Sequence, residues 1–378
     1  MSFEEIALKE AISAVKHIFR DVVKEPDVVS MRVADGLTGL TLEAKSWASS
    51  IQIFGMNAPL DATKHTAQLS FGTPRKFVSM GSSQEDSLSE EDILGSKRNL
   101  MLLGDPGSGK TTTMKRLTNE LHRFRLSSII RKKSVPIPII LREEEIESLY
   151  FMIARKIGIL DIFRDPRSRE TNDPYKCSIG EKEKSISLGS SLPTVLNQMR
   201  AILLLDGLDE LDLKQRLLIE KEIRNLSRRL KQAKIIVTCR SGSFTREMAD
   251  FQVAEISPLD QSQIEEVASY WIDDPRQFFH EVERLKLKDI CDRPLLLTQT
   301  ILFYKKEGYL PKAPSRLYRS LVMLLLREWD EQRGISRRSC YSQFEIIEKY
   351  EFLSALAYEL TVHRKKTAFR ESDMKILS

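Results

Sequence analysis

The sequence contains few of the features that mark secreted or membrane-spanning proteins. Four cysteines occur in 378 residues, none of them in a CxxC pair, and no secretory signal pattern is present. The longest apolar runs, such as 321–326, are far shorter than the roughly 20 residues that cross a bilayer. We therefore expect a reducing, cytoplasmic setting and no membrane partner.

A strong excess of charge of one sign is also absent. The 59 Lys and Arg residues nearly balance the 54 Asp and Glu residues, and the net charge of +5 is spread along the chain. The short basic clusters at 131–133 and 363–366 therefore indicate solvated faces rather than a nucleic-acid site. The composition, 41% hydrophobic and 30% charged, is that of a globular protein, and the length predicts more than one compact unit.

The first 91 residues carry no recognisable catalytic motif. Apolar residues at three- and four-residue spacing predict an amphipathic helix over 3–23, which either packs on its own domain or mediates self-association. Repeated glycines between 29 and 77 predict small strands and turns rather than long helices, and the Ser-rich, acidic stretch 79–91 predicts a linker. We expect a small α+β N-terminal domain of unknown role over 1–91.

The remainder of the chain predicts an α/β domain followed by helices. From residue 92, apolar β-like runs alternate with helical stretches, which is typical of a parallel sheet with helices on both faces. These runs are 100–103, 137–141, 202–205, 235–237 and 253–256. We place this domain at 92–257, because the pattern from 258 onward is mainly helical, with prolines near the expected helix boundaries.

The most specific motif is a phosphate loop between the first of these strands and a helix expected over 112–124. The sequence GDPGSGKT at 104–111 fits the GxxxxGK[ST] pattern, whose glycines turn backbone N–H groups toward phosphates at a helix N-terminus. We predict that Lys110 reaches the β- and γ-phosphates of a purine nucleoside triphosphate and that the Thr111 hydroxyl binds Mg²⁺. The predicted nucleotide-binding residues of this segment are Gly104, Asp105, Pro106, Gly107, Ser108, Gly109, Lys110, Thr111 and Thr112.

Two later strands end in charged residues at the same expected sheet edge. The run 202–205 leads into Asp206, a predicted Mg²⁺ ligand, and then into Asp209 and Glu210, either of which would orient the attacking water. The run 235–238 leads to Arg240, which we predict senses the γ-phosphate; a surface salt bridge is the alternative. The candidate catalytic residues are therefore Asp209, Glu210 and Arg240.

These motifs resemble those of the NACHT family of P-loop NTPases, which belongs to the STAND class of signalling ATPases. The run LLLDGLDE at 203–210 is similar to the family signature, in which a small residue follows the metal-binding Asp and an acidic pair comes shortly after. The segments 235–240 and 257–260 resemble the family's first sensor and its exit into a helical domain. The resemblance covers about residues 92–378 and leaves 1–91 outside it.

The resemblance implies a helical domain at 258–312 and the start of a winged-helix domain at 313–378. Pro294, in the DRP sequence at 292–294, is implied to pack near the adenine, although a plain proline at a helix N-terminus fits the same sequence. The rest of the winged helix and the sensor repeats that usually follow in the family are not found in this sequence. We therefore expect a short member or a part of a longer one.

The resemblance further implies a molecular switch that uses ATP, ADP and Mg²⁺. ADP would hold a monomer, and ATP would drive assembly into a homo-oligomer that activates an unidentified effector after an unidentified trigger, with slow hydrolysis. Relatives imply a role in antiviral or antiphage innate immunity. The alternatives are a conventional ATP-driven enzyme or nucleic-acid remodeller, and a small effector enzyme within 1–91.

Overall fold

The computed structural model describes residues 12–13, 26–53, 59–62, 64–72, 74, 88–122, 134–143, 148–163, 178–179, 186–244, 248–332 and 345–365. These residues form two compact units, one from the described residues up to 51 together with 61–258, and one from 52–60 together with the described residues from 259 onward. Within the described ranges, no helix has both the length and the apolar character needed to cross a bilayer. The predicted helix over 3–23 lies almost entirely outside these ranges.

The described strands are short and belong mainly to the first unit. They are β1 Ser50–Ile51, β2 Leu60–Asp61, β3 Phe71–Gly72, β4 Asn99–Leu103, β5 Pro136–Ile140, β6 Ser178–Ile179, β7 Ile186–Ser187, β8 Ile202–Asp206, β9 Lys234–Cys239 and β10 Phe251–Ile256. Six of them form one sheet in the order β3-β10-β4-β9-β8-β5. All neighbours in it are parallel except β3 and β10, so the predicted parallel sheet is confirmed.

Among the described helices of the first unit, one precedes the strands and the others connect them. They are α1 Pro26–Ser49, α2 Glu90–Gly95, α3 Lys110–His122, α4 Leu149–Lys156, α5 Leu160–Phe163, α6 Leu188–Gln198 and α7 Leu213–Ser227. Every residue of β4, β8 and β9 is buried. Because successive residues of a strand face opposite sides, burial at every position means that both faces of the sheet are covered.

Helix α1 contradicts the prediction of small strands and turns for residues 29–49, whereas the short strands β1, β2 and β3 agree with it further along. Gly36 and Gly39 lie inside this 24-residue helix, and the sequence pattern had indicated breaks there. A Cβ on Gly36 would lie 2.6 Å from the Cα of Gly158, so this glycine lets two backbones approach closely. The helix contributes buried side chains at three- and four-residue spacing: Val33, Leu37, Leu40, Ala44 and Ala48.

The predicted linker at 79–91 ends in ordered secondary structure. Residues 79–87 lie outside the described ranges, but Leu88 forms a bridge with Phe71 and Ser89 caps α2 in a capping box with Asp92. Residue 92, where we placed the domain boundary, therefore lies inside a helix. The domain limits as a set stay a prediction.

The second unit is helical, as its sequence pattern predicts. Its elements are α8 Gln261–Trp271, α9 Arg276–Arg284, α10 Lys288–Cys291, α11 Pro294–Glu307, α12 Pro314–Gln332, α13 Ile346–Tyr358 and a π-helical turn at Glu359–His363. A capping box of Asp260 and Gln263 starts α8, and the ring centroids of Phe278 and Tyr304 lie 5.3 Å apart between α9 and α11. The winged-helix identity of α12 and α13 stays a prediction.

Candidate nucleotide site

The phosphate loop connects β4 to α3, as its sequence requires. Gly107 and Gly109 have φ values of +76° and +97°, in the left-handed region that only glycine enters at little cost. The backbone N–H of Ser108 donates to the Asp105 carbonyl at 3.1 Å, and the N–H of Thr113 donates to the Gly109 carbonyl at 2.8 Å. The loop therefore closes directly onto the first turn of α3, which also contains Thr112.

Lys110 places its ammonium over the loop backbone. Its Nζ donates to the carbonyl oxygens of Gly104 at 2.8 Å and Asp105 at 3.0 Å. Burial lowers the pKa of Lys110, while the carboxylates of Asp209 and Asp206 oppose that change. The site thus holds a half-buried cation between the phosphate loop and the acidic end of β8.

Asp206 joins three elements at the carboxyl edge of the sheet. Its Oδ2 accepts a hydrogen bond from Thr111 Oγ1 at 2.7 Å, and its Oδ1 accepts one from Thr238 Oγ1 at 2.6 Å. The Thr238 hydroxyl in turn accepts from the backbone N–H of Gly207 at 2.8 Å. Strand β9 lies between β4 and β8 in the sheet, so Thr238 is the residue that bridges the two predicted motifs.

Sequence reasoning did not select Thr238 individually. The available signal was a hydroxyl residue near the end of an otherwise apolar strand that was expected to finish at the same edge as Asp206. Thr238 is fully buried, and its hydroxyl both donates and accepts within this cluster. We infer that Thr238 fixes the orientation of the Asp206 carboxylate.

The donor set fits a magnesium-bound nucleotide. Mg²⁺ prefers oxygen ligands and is usually held by one or two carboxylates together with phosphates and water. Thr111 and Asp206 supply a hydroxyl and a carboxylate within hydrogen-bond distance of each other. In the loop, the Ser108 hydroxyl is buried without a hydrogen-bond partner among the described residues, so a phosphate oxygen would satisfy it.

Asp209 and Arg240 form a close pair across two strand ends. One carboxylate oxygen of Asp209 accepts from the backbone N–H of Arg240 at 2.9 Å, and the other lies 2.8 Å from Arg240 Nε. The Asp209 side chain is 3% exposed, whereas that of Arg240 is 48% exposed. The salt bridge considered as an alternative for Arg240 is thus present, and its partner belongs to the same site. A γ-phosphate contact of Arg240 stays a prediction.

Glu210 has a different environment from Asp209. Its side chain is 33% exposed, and its Oε2 lies 3.6 Å from Arg142 Nη1. Burial raises the pKa of Glu210; Arg142 lowers it, and the neighbouring carboxylates of Asp209 and Asp206 raise it further. A partly exposed carboxylate with a raised pKa is suited to accept a proton.

Pro294 belongs to the second unit. It is the first residue of α11, where the missing N–H of proline costs the helix no hydrogen bond. This position agrees with the alternative that the DRP sequence contains a plain proline at a helix N-terminus. Contact with an adenine stays a prediction.

Residues 173–275 match the NACHT domain. The chain carries a NACHT domain. The matched range contains β8, the acidic pair, β9 and Arg240, and the phosphate loop lies upstream of it in the same sheet. The NACHT resemblance and the α/β P-loop NTPase fold are therefore confirmed, and NACHT ATPases as a class bind and hydrolyse nucleotides.

Solved structures with similarity to this NACHT-containing chain include the following three proteins. A STAND protein with a tetratricopeptide repeat sensor from Pyrococcus horikoshii is 13% identical over 62% of this chain and 31% of its own, with a TM-score of 0.39. A Walker-type ATPase of Pyrococcus abyssi is 17% identical over 76% and 85%, with a TM-score of 0.35. The Orc1 protein of Aeropyrum pernix, solved in complex with DNA, is 15% identical over 71% and 77%, with a TM-score of 0.36.

These similarities carry no argument about function, because every TM-score is below 0.5. The chain spans 31% of the length of the Pyrococcus horikoshii STAND protein. A comparison with curated proteins gave no match.

Proposed function

We propose that this chain is an ATP- and ADP-dependent molecular switch. Its state is set by which nucleotide is bound and not by rapid turnover of ATP. The observation that carries the proposal is the 2.7 Å hydrogen bond between Thr111 and Asp206, 95 residues apart in sequence. It joins the phosphate loop to the acidic strand end in the arrangement that a magnesium-bound triphosphate requires.

Each residue of the site has a role in this proposal. Mg²⁺, when bound, would neutralise charge on the β- and γ-phosphate oxygens. Thr111 and Asp206 would hold it, and Lys110 with the loop N–H groups would bind the phosphates. Arg240 would exchange part of its pairing with Asp209 for the γ-phosphate, and so distinguish ATP from ADP.

Glu210, rather than Asp209, would orient the attacking water. Both oxygens of Asp209 are already engaged by Arg240, and its side chain is buried. Glu210 is more exposed and has one ion pair at a longer distance. We expect Glu210→Gln to abolish hydrolysis while retaining ATP binding, whereas Asp209→Asn would chiefly disturb Arg240 and weaken the preference for ATP over ADP.

A switch needs a sufficient difference in affinity between its two states. Moving a population from about 1% to about 99% active requires roughly 5.5 kcal/mol of differential binding. Charge-assisted contacts of Lys110 and Arg240 with a γ-phosphate are the groups that would provide it. Slow hydrolysis would then return the protein to its ADP state.

The family relationship supports assembly as the output of this switch. In our proposal ADP maintains a cytoplasmic monomer, and ATP allows a homo-oligomer that activates an effector in innate defence against viruses or phages. The trigger and the effector would be separate partners. The near-neutral charge of the chain supports this reading over nucleic-acid remodelling.

The test is the mass of the purified chain in solution with ADP and with a non-hydrolysable ATP analogue plus Mg²⁺. A change from monomer to a defined oligomer, absent in Lys110→Ala, is the expected result. An unchanged monomer together with fast ATP turnover that DNA or RNA stimulates would contradict the switch and favour a conventional ATP-driven remodeller.

A further inference from the structure

Arg142 reaches the nucleotide site from a strand that contributes none of the motifs. It follows β5, whose Ile140 is paired in register with Asp206 on β8. The ladder continues with the N–H of Leu141 donating to the Asp206 carbonyl at 3.0 Å, and the N–H of Glu143 closes a turn onto Ile140 at 3.0 Å. Arg142 therefore emerges at the carboxyl edge of the sheet, directly beside the acidic end of β8.

The Arg142 guanidinium faces Glu210. Its Nη1 lies 3.6 Å from Glu210 Oε2, and its Nε lies 3.4 Å from Oε1 of the adjacent Glu143. The distance to Glu210 is that of an ion pair rather than a short hydrogen bond. The ion pair with Arg142 thus restrains the Glu210 carboxylate, but it engages fewer of the carboxylate oxygens than Arg240 engages on Asp209.

Four charged groups act electrostatically on the Glu210 carboxylate. Asp206 faces it from β8 and Asp209 from its own turn, and both are negative; Arg142 faces it from the end of β5 and Arg240 from the end of β9. Arg240 makes a 2.8 Å pair with Asp209. Of the two arginines, Arg142 therefore does more to balance the charge of Glu210.

We propose that Arg142, through its 3.6 Å ion pair with Glu210, is a positioning residue for hydrolysis, which keeps the Glu210 carboxylate ionised and thereby sets the lower pH limit of ATP hydrolysis. This inference rests on the proposed role of Glu210 in the switch. Arg142 itself touches neither metal nor phosphate in this proposal, so its removal changes the pH dependence of hydrolysis and leaves nucleotide affinity unchanged.

The direction of the expected change follows from the charges. Burial and the two aspartates raise the pKa of Glu210, and Arg142 opposes them. Without Arg142, Glu210 takes up a proton at higher pH, so the acid limb of the rate profile moves upward. The pair is partly exposed, so we expect a shift of about 0.5 pH unit, or about threefold slower hydrolysis below the midpoint, with an unchanged plateau at high pH.

The experiment compares single-turnover ATP hydrolysis from pH 5 to pH 9 at saturating ATP and Mg²⁺ in the full chain. The variants are Arg142→Gln, Arg142→Lys and Glu210→Gln. The matched control is Arg228→Gln, which removes another exposed arginine ion pair, the 3.8 Å pair with Asp250, directly before the amino end of β10 and so at the opposite edge of the sheet. ATP affinity is measured for each variant by calorimetry.

The inference predicts a shifted acid limb in Arg142→Gln, partial restoration in Arg142→Lys, and the wild-type profile in Arg228→Gln. A profile of Arg142→Gln that overlays the wild type, or a loss that is equal at every pH, would overturn it. If Glu210→Gln is inactive while Arg142→Gln is unshifted, only this inference fails. If Glu210→Gln still hydrolyses ATP, the proposed role of Glu210 fails as well.

Discussion

Polar groups at the two edges of the parallel sheet differ in how fully other protein groups hydrogen-bond to them. At the amino edge, Asn197 Oδ1 accepts from three consecutive backbone N–H groups, at 231–233, and its Nδ2 donates to the Arg229 carbonyl. Asn99 similarly joins Ile235 to Asp250. At the carboxyl edge, the Ser108 hydroxyl is buried without a protein partner among the described residues, and Glu210 is held by a 3.6 Å ion pair.

This difference separates stability from ligand binding. Polar groups that the chain satisfies by itself hold the strands in register, whereas groups left with spare hydrogen-bonding capacity are available to a ligand. We therefore expect changes at the amino edge to alter the free energy of unfolding and changes at the carboxyl edge to alter nucleotide binding. The following predictions test that separation.

The largest expected effect is on nucleotide affinity in Lys110→Ala. Loss of the ammonium should weaken ATP binding at least 100-fold, about 2.7 kcal/mol, because a charge-assisted phosphate contact disappears. The melting temperature without nucleotide should change little. Titration calorimetry checks the affinity, and Lys231→Ala, at the amino edge, serves as the matched control with wild-type affinity. Equal ATP affinity in Lys110→Ala and wild type would contradict the site.

The second prediction concerns Asn197→Ala at the opposite edge. Three backbone N–H groups would lose their acceptor, so the free energy of unfolding should fall by about 2 kcal/mol. Asn197→Asp keeps the acceptor and should cost less. Urea denaturation measures both. If Asn197→Ala lost ATP affinity while its free energy of unfolding stayed the same, the assignment of stability to one edge and nucleotide binding to the other would be wrong.

A smaller effect, on ATP affinity, is expected for Thr238→Val. This substitution replaces the hydroxyl with a methyl group and keeps the shape of the side chain. The Asp206 carboxylate would lose a 2.6 Å donor, so Mg²⁺-dependent ATP affinity should fall about fivefold, while affinity measured in EDTA should change less. Thr238→Ser should restore binding. An equal change with and without Mg²⁺ would mean that Thr238 acts on the fold rather than on the metal ligand.

The last prediction concerns the pH dependence of stability and the buried Lys234. Its Nζ donates to the carbonyls of Ile93, Leu94 and Ser96 at the end of α2, and burial lowers its pKa to about 8. Since the folded pKa lies below the unfolded value, the folded state releases this proton first, and stability should rise as pH increases from about 8 to about 10.5. Urea denaturation of the wild type and of Lys234→Met across this pH range measures the free energy of unfolding of each. The rise should be absent in Lys234→Met, and an equal pH dependence in the two proteins would refute the prediction.

The sequence allowed the strand ends to be predicted because the motifs are local. The phosphate loop, Asp206 and Arg240 each follow an apolar run, and parallel strands bring their carboxyl ends to one edge. Thr238 and Arg142 could not be identified in this way, since their roles depend on which strands are neighbours in the sheet. The order β4-β9-β8-β5 is a property of the folded chain.

Helix α1 was missed for another physical reason. Glycine within a helix usually lowers helix stability, so Gly36 and Gly39 indicated breaks. The contact of Gly36 with Gly158 joins residues 122 positions apart, and no local pattern contains it. A tertiary contact here outweighs the local preference.

Helix α3 carries the phosphate loop at its start and holds the preceding part of the chain further along. Lys115 donates to the Ser50 carbonyl, Asn119 donates to the Ala48 carbonyl, and Arg116 pairs with the buried Glu90. A recombinant fragment beginning at residue 92 would leave these three side chains without partners and uncover the apolar surface under α1. For expression and crystallisation, the nucleotide-binding unit should therefore be cloned with α1 attached.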